Sequence, residues 1–333
     1  GYIDLVERIN PDQPLTLDNT PQYLIDNLGD SFIKETQNLS KDSAIILLVG
    51  KNNFAINAIK QSGHELSQLV PMYKKVGFHQ IYKVKNSAGG STYFVTRING
   101  NDRLTHIQSL MKLAKINGNN IYTIGKNEEL ISTYKNLFKH PPSHLKPDLI
   151  VVGFSNTVAK SILNSDFRSE NQSKADYLTK LVNEKHQKAD IVDHDLKKLP
   201  MQVFRFQNNK VVWLLQNTYG DLAYDLFEAI EQYLPGTDVK YLGTAGAIQI
   251  PLKQELRVGD MFSPSKISFN GNTYDLSTLK NFVKPDGITV KSTEMHTFVP
   301  TPNVETDIWL RTMQQQGVQS VEVEIPYIYR ARL

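Results

Sequence analysis

Apolar residues in this chain gather into short runs separated by stretches of helical spacing. Near the start, Tyr23, Leu24, Leu28 and Phe32 recur at intervals that predict a surface helix. Residues 44–50 (AIILLVG) form an unbroken branched run ended by Gly, the pattern of a strand buried on both faces, and a long helical stretch follows. Runs at 81–84 and 93–98 flank Ser87-Ala88-Gly89-Gly90, which predicts a hairpin. Leu104, Ile107, Leu110, Met111 and Ala114 mark one face of a helix, and 120–125 returns to a strand.

The pattern breaks at 139–147, where Pro141, Pro142 and Pro147 stand among polar residues, and a domain boundary is expected there, between 1–146 and 147–333. A buried-strand run then begins afresh at 148–153 (DLIVVG). Strands at 201–206 and 211–215 lie either side of Asn208-Asn209. Leu222, Leu226, Ile230 and Leu234, with Ala223 and Phe227, form the apolar stripe of a helix that Pro235-Gly236 stops before a strand at 239–242. Both halves therefore predict α/β units. Strands alternating with helices imply a mostly parallel sheet, with ligands beyond the carboxyl ends of its strands.

The length of 333 residues agrees with two units. The formal charge is only +3 and basic residues are dispersed, which leaves no footprint for nucleic acid. The absence of cysteine excludes disulfides, thiolate nucleophiles and cysteine-held metals. Apolar runs are too short to span a bilayer and no cleavable signal is visible, so a soluble, cytoplasmic protein without membrane partners is expected.

Candidate chemistry concentrates in the second half. At the end of the strand at 239–242 stands Gly243-Thr244-Ala245-Gly246, followed by Leu256-Arg257-Val258-Gly259-Asp260. Glycines let backbone N–H groups approach an anion or a sugar and the Thr244 hydroxyl adds a donor, although a plain tight turn uses the same residues. Farther on, Gly317-Val318-Gln319-Ser320-Val321-Glu322-Val323-Glu324 alternates apolar and acidic positions, so Glu322 and Glu324 share one face of a regular strand. A carboxylate accepts two hydroxyls at once, which suits a vicinal diol; a solvent-facing pair on an edge strand gives the same pattern.

These pieces, in this order, resemble the nucleoside phosphorylase and nucleosidase superfamily, over 147–333 only. The resemblance implies a phosphorylase-like mixed central sheet flanked by helices and preceded by a separate α/β N-terminal unit of unknown role. It implies a ribonucleoside partner, with inorganic phosphate admitted as co-substrate and no other cofactor, and a homo-oligomer. It assigns the ribose to Glu324, with Gly243, Thr244, Ala245, Gly246 and Val323 around the substrate; Val323 stands where the family has methionine. Phe298, after Met295-His296-Thr297, is the candidate for stacking on the base, and it serves equally as core.

Three departures bear on the activity. Tyr241 stands where phosphorylases carry a phosphate-binding arginine, and alternation turns Lys240 to the opposite face. The family's base-protonating Asp would lie beyond Leu333. Pro326 falls where a helix would continue the fold. Hydrolysis or weak phosphorolysis of the N-glycosidic bond is therefore the expected reaction, with Glu322 the nearest carboxylate to activate water. A non-catalytic nucleoside-binding or protein-interaction module is the alternative. Elsewhere, Gly153-Phe154-Ser155 lacks the closing Gly of a nucleophile elbow, Gly50-Lys51 lacks P-loop spacing, and His140 and His144 enclose two prolines that no helical metal pair tolerates.

Overall fold

A computed structural model describes residues 20–50, 52–75, 78–116, 120–126, 128–141, 143–155, 158–159, 189–191, 201–206, 209–216, 218–243, 245–250, 261–269, 272–276, 290–299, 305 and 307–332. Among these residues are eight α-helices and three five-stranded sheets, an α/β fold. None of the described helices is long and apolar enough to cross a membrane. Two compact units emerge. The first is drawn from Gly1–Ser132, Tyr219–Leu222 and Val299–Trp309, the second from Thr133–Thr218, Ala223–Phe298 and Leu310–Leu333. The division thus falls upstream of the proline-rich segment, and two short stretches from later in the chain return to the first unit.

The first unit carries α1 (Thr20–Leu28), α2 (Asp30–Thr36), β1 (Ala44–Val49), α3 (Asn52–Gln61), β2 (Val70–Lys74), β3 (Gln80–Lys85), β4 (Ser91–Ile98), α4 (Asn101–Leu113) and β5 (Ile121–Gly125). Its sheet runs β2-β3-β4-β1-β5, parallel from β4 through β1 to β5 and antiparallel across β2, β3 and β4. The AIILLVG run is buried on both faces as its composition requires. Ile45, Leu47 and Val49 join the core with Phe32, Ile107 and Leu110, while Leu48 packs with Ala55, Ile59 and Phe94. Each such side chain contributes roughly 1.5–3 kcal/mol by leaving water.

At the start of α4, the Asp221 carboxylate accepts the amides of Asn101 and Asp102, and the Asp102 carboxylate accepts the amide of Asp221 in return. Glycine is required on both sides of this exchange. A Cβ on Gly100 would lie 2.6 Å from Asp221 Oδ1, and one on Gly220 2.3 Å from Asp102 Oδ2.

In the second unit, α5 (Glu128–Lys139) enters from the first. There follow β6 (Leu149–Val152), β7 (Ala189–Ile191), β8 (Met201–Phe206), β9 (Val211–Leu215), α6 (Leu222–Tyr233) and β10 (Asp238–Tyr241). Then come β11 (Gly246–Ala247), β12 (Met261–Phe269), β13 (Asn272–Asp275), β14 (Val290–Phe298), α7 (Asp307–Gln315), β15 (Ser320–Glu322) and α8 (Ile325–Ala331). The strand–helix alternation suggests a mostly parallel sheet and the resemblance one mixed central sheet; two mixed sheets form, β10-β6-β9-β8-β7 and β11-β15-β14-β12-β13. Beyond Tyr241, β11 does not extend the sheet of β10 and pairs antiparallel with β15 instead. Hairpin pairs such as β8–β9 and β12–β13 then add antiparallel neighbours to parallel centres.

Candidate functional site

Four elements meet where the sequence motifs converge. The register of β11 on β15 sets Gly246 beside Val321 and Ala247 beside Ser320. The parallel register of β14 on β15 sets His296 beside Ser320 and Phe298 beside Glu322. The Gly-rich turn, the acidic strand and the aromatic candidate are thus neighbours in one sheet. Gly246 is small for a reason, since a Cβ there would stand 3.0 Å from Val321 Cγ1.

The acidic strand is shorter than alternation predicts. It ends at Glu322, and Glu324, with φ −122° and ψ −35°, is already the first residue of the turn into α8. Pro326, an obstacle in the sequence reading, sits in the first turn of α8, where the missing N–H costs nothing. The two glutamates therefore do not share a strand face. Glu322 turns back instead, its Oε2 accepting the amide of Glu324 at 2.7 Å and its Oε1 that of Ile325 at 2.6 Å. These are helix-start amides that need an acceptor, and a charge-assisted one serves best.

Glu324 is 5 % exposed and Glu322 7 %, deep burial for two carboxyl groups. Burial pushes the Glu322 carboxyl up to about 7. The Tyr241 hydroxyl, reaching from the end of β10, donates to Glu324 Oε2 at 3.1 Å. The Tyr241 ring folds over Gly243, where a Cβ would come within 2.7 Å of the hydroxyl, and meets Phe227 edge-on at 6.2 Å. Lys240, on the other face of β10, pairs with Asp238 at 3.0 Å.

Two members were not singled out by sequence reasoning. His296, 1 % exposed, bonds Ser320 Oγ through Nδ1 at 2.7 Å, and its Nε2 stands 3.5 Å from Glu322 Oε1. That approach is not an ion pair, because burial carries the ring down to about 3 and keeps it neutral. The Nε2 lacks a full hydrogen bond. No local pattern in the sequence pairs them: His296 and Ser320 are buried polar residues that the register of β14 on β15 sets side by side.

Of the other expected residues, Phe298 is 8 % exposed and meets Phe269 and Tyr327 edge-on at 5.3 and 5.4 Å. Gly243 and Gly246 are exposed, while Ala245 and Val323 are half-buried. Thr244 and the 256–260 segment with Gly259-Asp260 lie outside the described residues. No group of three or more metal-ligating side chains occurs among the described residues. In the first unit, burial raises the Glu305 carboxyl to about 7, and the Arg103 guanidinium stacks 3.8 Å over Tyr219; neither was read from the sequence.

No family model matches this chain, and a search of curated proteins finds no significant match.

Proposed function

We propose that the second unit binds a ribonucleoside and cleaves its N-glycosidic bond by hydrolysis, on a phosphorylase-like arrangement of sheet and helices. The observation that carries this reading is the 3.1 Å hydrogen bond from Tyr241 to Glu324, which ties the Gly-rich turn to the acidic motif. A carboxylate such as that of Glu324 can accept more than one hydroxyl, which suits the vicinal diol of a ribose. As the bond from the anomeric carbon breaks and its electron pair leaves with the base nitrogen, positive charge grows on the sugar. A fixed carboxylate stabilises that charge without reorganising. Water then adds to the anomeric carbon and gives up a proton, while the base gains one.

Hydrolysis is preferred to phosphorolysis because Tyr241 is neutral and already committed to Glu324, and Lys240 is paired with Asp238. Glu322 is a poor candidate for the water-activating base, since both its oxygens already accept amides of the α8 turn.

The test is base release from adenosine, inosine and guanosine in phosphate-free buffer and in saturating phosphate, with ribose and ribose 1-phosphate assayed separately. Ribose, formed at a rate indifferent to phosphate, is the expected product. Strong phosphate acceleration yielding ribose 1-phosphate would overturn hydrolysis, and binding without turnover would favour a non-catalytic nucleoside module. Glu324→Ala is expected to weaken a ribonucleoside more than its 2′-deoxy analogue, by about 1–3 kcal/mol. Equal losses for both sugars would remove the ribose assignment.

A further inference from the structure

The two edges of the first sheet are built differently. At one end, β2 carries Pro71, a register shift between Pro71 and Tyr73, and Lys74, three devices that keep an edge from taking another strand. At the other end stands β5, whose sequence Ile-Tyr-Thr-Ile-Gly has no charge and no proline. Tyr122 is 50 % exposed and Ile124 45 %, both on one face of the strand, and Thr123 and Gly125 are exposed as well. An edge this open and apolar is a template for pairing.

The outward backbone groups of β5 follow from its pairing with β1. The strands run parallel with Ile45 beside Ile121, and the Ile45 amide donates to the Asn120 carbonyl at 2.9 Å. In such a ladder successive residues turn their N–H and C=O groups to alternate sides. Asn120, Tyr122 and Ile124 therefore face β1, while Ile121, Thr123 and Gly125 present theirs outward. Among the described residues β1 is the only strand beside β5.

We propose that β5 is the pairing edge for a second copy of this chain, the two β5 strands running antiparallel about a twofold axis at Thr123. In that register the two Thr123 residues exchange both backbone hydrogen bonds. Ile121 of each copy stands opposite Gly125 of the other, where φ +102° ends the strand. Tyr122 of each copy then meets Ile124 of the other in the close, non-hydrogen-bonded position, so the exposed apolar side chains cover one another as aromatic–branched pairs. A strand without charge meets its own copy without like-charge repulsion. Pairing β5 with itself also closes the assembly. Joining it to β2 of the next copy would make an open filament, and Pro71 and Lys74 stand against that. A five-residue edge covers less surface than a permanent dimer needs, so the association is reversible. It belongs to the first unit, outside the stretch that resembles nucleoside phosphorylases, and holds whether or not the second unit binds a nucleoside.

Sedimentation velocity of the whole chain should show monomer at about 1 µM and a growing share of dimer toward about 100 µM, the range of a small interface. Tyr122→Lys and Ile124→Lys alter side chains already in water and should leave the urea midpoint in place. Each should weaken dimerisation at least about tenfold, because symmetry brings the new charge to two apolar contacts at once. Val70→Lys on β2, where Val70 is 56 % exposed, is the control and should change neither. The chain has no cysteine, so single introduced thiols report the register. Thr123→Cys should oxidise to a covalent dimer, its two Cα atoms being about 5.5 Å apart and within disulfide reach, while Tyr122→Cys, out of line with its own copy, should not. A monomer at every concentration overturns the pairing and leaves β5 to a strand of another protein. A dimer indifferent to both lysine variants uses another surface and overturns it too. A covalent dimer from Tyr122→Cys alone overturns the Thr123 axis.

Discussion

Tyr241 and Gly243 act as one device. The ring lies over the glycine, and a single added methyl would meet its hydroxyl at 2.7 Å and ring carbons at 3.0 Å. Those atoms are the free end of a side chain, so the ring can move without disturbing the backbone, at the cost of its bond to Glu324. Gly243→Ala is accordingly expected to change unfolding free energy by less than about 1 kcal/mol, as exposed positions do. It should lower ribonucleoside affinity by about fivefold, the value of one lost hydrogen bond, and Tyr241→Phe should match it. Calorimetric binding alongside urea midpoints checks both. An affinity left intact by either variant would show that Tyr241 does not hold Glu324 for the ligand.

Gly153, at the end of β6, illustrates how neighbouring strand ends are built. Its φ is +95°, and a Cβ there would lie 2.0 Å from the Leu242 carbonyl oxygen, backbone that cannot step aside while the Leu242 amide is bonded to Val152. Gly236 has φ +78° but nothing within 4 Å. Gly236→Ala should therefore cost only the left-handed strain, about 1–2 kcal/mol, and Gly153→Ala that strain plus overpacking, about 2–4 kcal/mol. Equal shifts in urea midpoint would contradict the close approach.

The same contrast between backbone geometry and side-chain pattern governs what was legible in the sequence. β1, the β3–β4 hairpin, α4, β6, β9 and α6 announce themselves because their apolar positions are buried on faces that periodicity defines. β2 does not, since it carries Pro71 and shows little burial. β15 reads as running on to Glu324, because alternation continues through Val323 although the Glu322 cap and Pro326 turn the chain into α8. The carboxylates and glycines of the site were visible as residue types. His296, Ser320 and the partner of Tyr241 were not, because their meeting depends on strand register, which no local pattern encodes.

The shifted, buried titratable groups among the described residues set an acid-sensitive stability that differs between the two units. In the first unit, burial lowers His79 to about 4 and His106 to about 3 and raises Glu305 to about 7; in the second it lowers His296 to about 3 and raises Glu322 to about 7. A histidine depressed in the folded state gives stability that is present above its unfolded value of 6.5 and lost as pH falls toward the folded value. A raised glutamate gives stability that is full below its unfolded value of 4.5 and lost as pH rises through about 7. Between 4.5 and 6.5 these contributions oppose. Among the described residues, one such histidine stands against one such glutamate in the second unit and they nearly cancel, whereas in the first unit two stand against one and the histidines win by about one proton. Each uncompensated proton is worth about 1.4 kcal/mol per pH unit. Acidification from pH 6.5 to 4.5 should therefore weaken the first unit while leaving the second almost unchanged. Urea unfolding followed peptide by peptide with limited proteolysis separates the two. His79→Gln keeps a side-chain N–H for the Asn27 carbonyl, which the ring contacts at 2.7 Å, and removes the titrating ring, so it should flatten the first unit's slope. A first unit whose midpoint does not move over that range, or a slope that survives in His79→Gln, would mean that the buried imidazole does not refuse the proton and that its enclosure in solution is looser than the 0 % exposure of His79 implies.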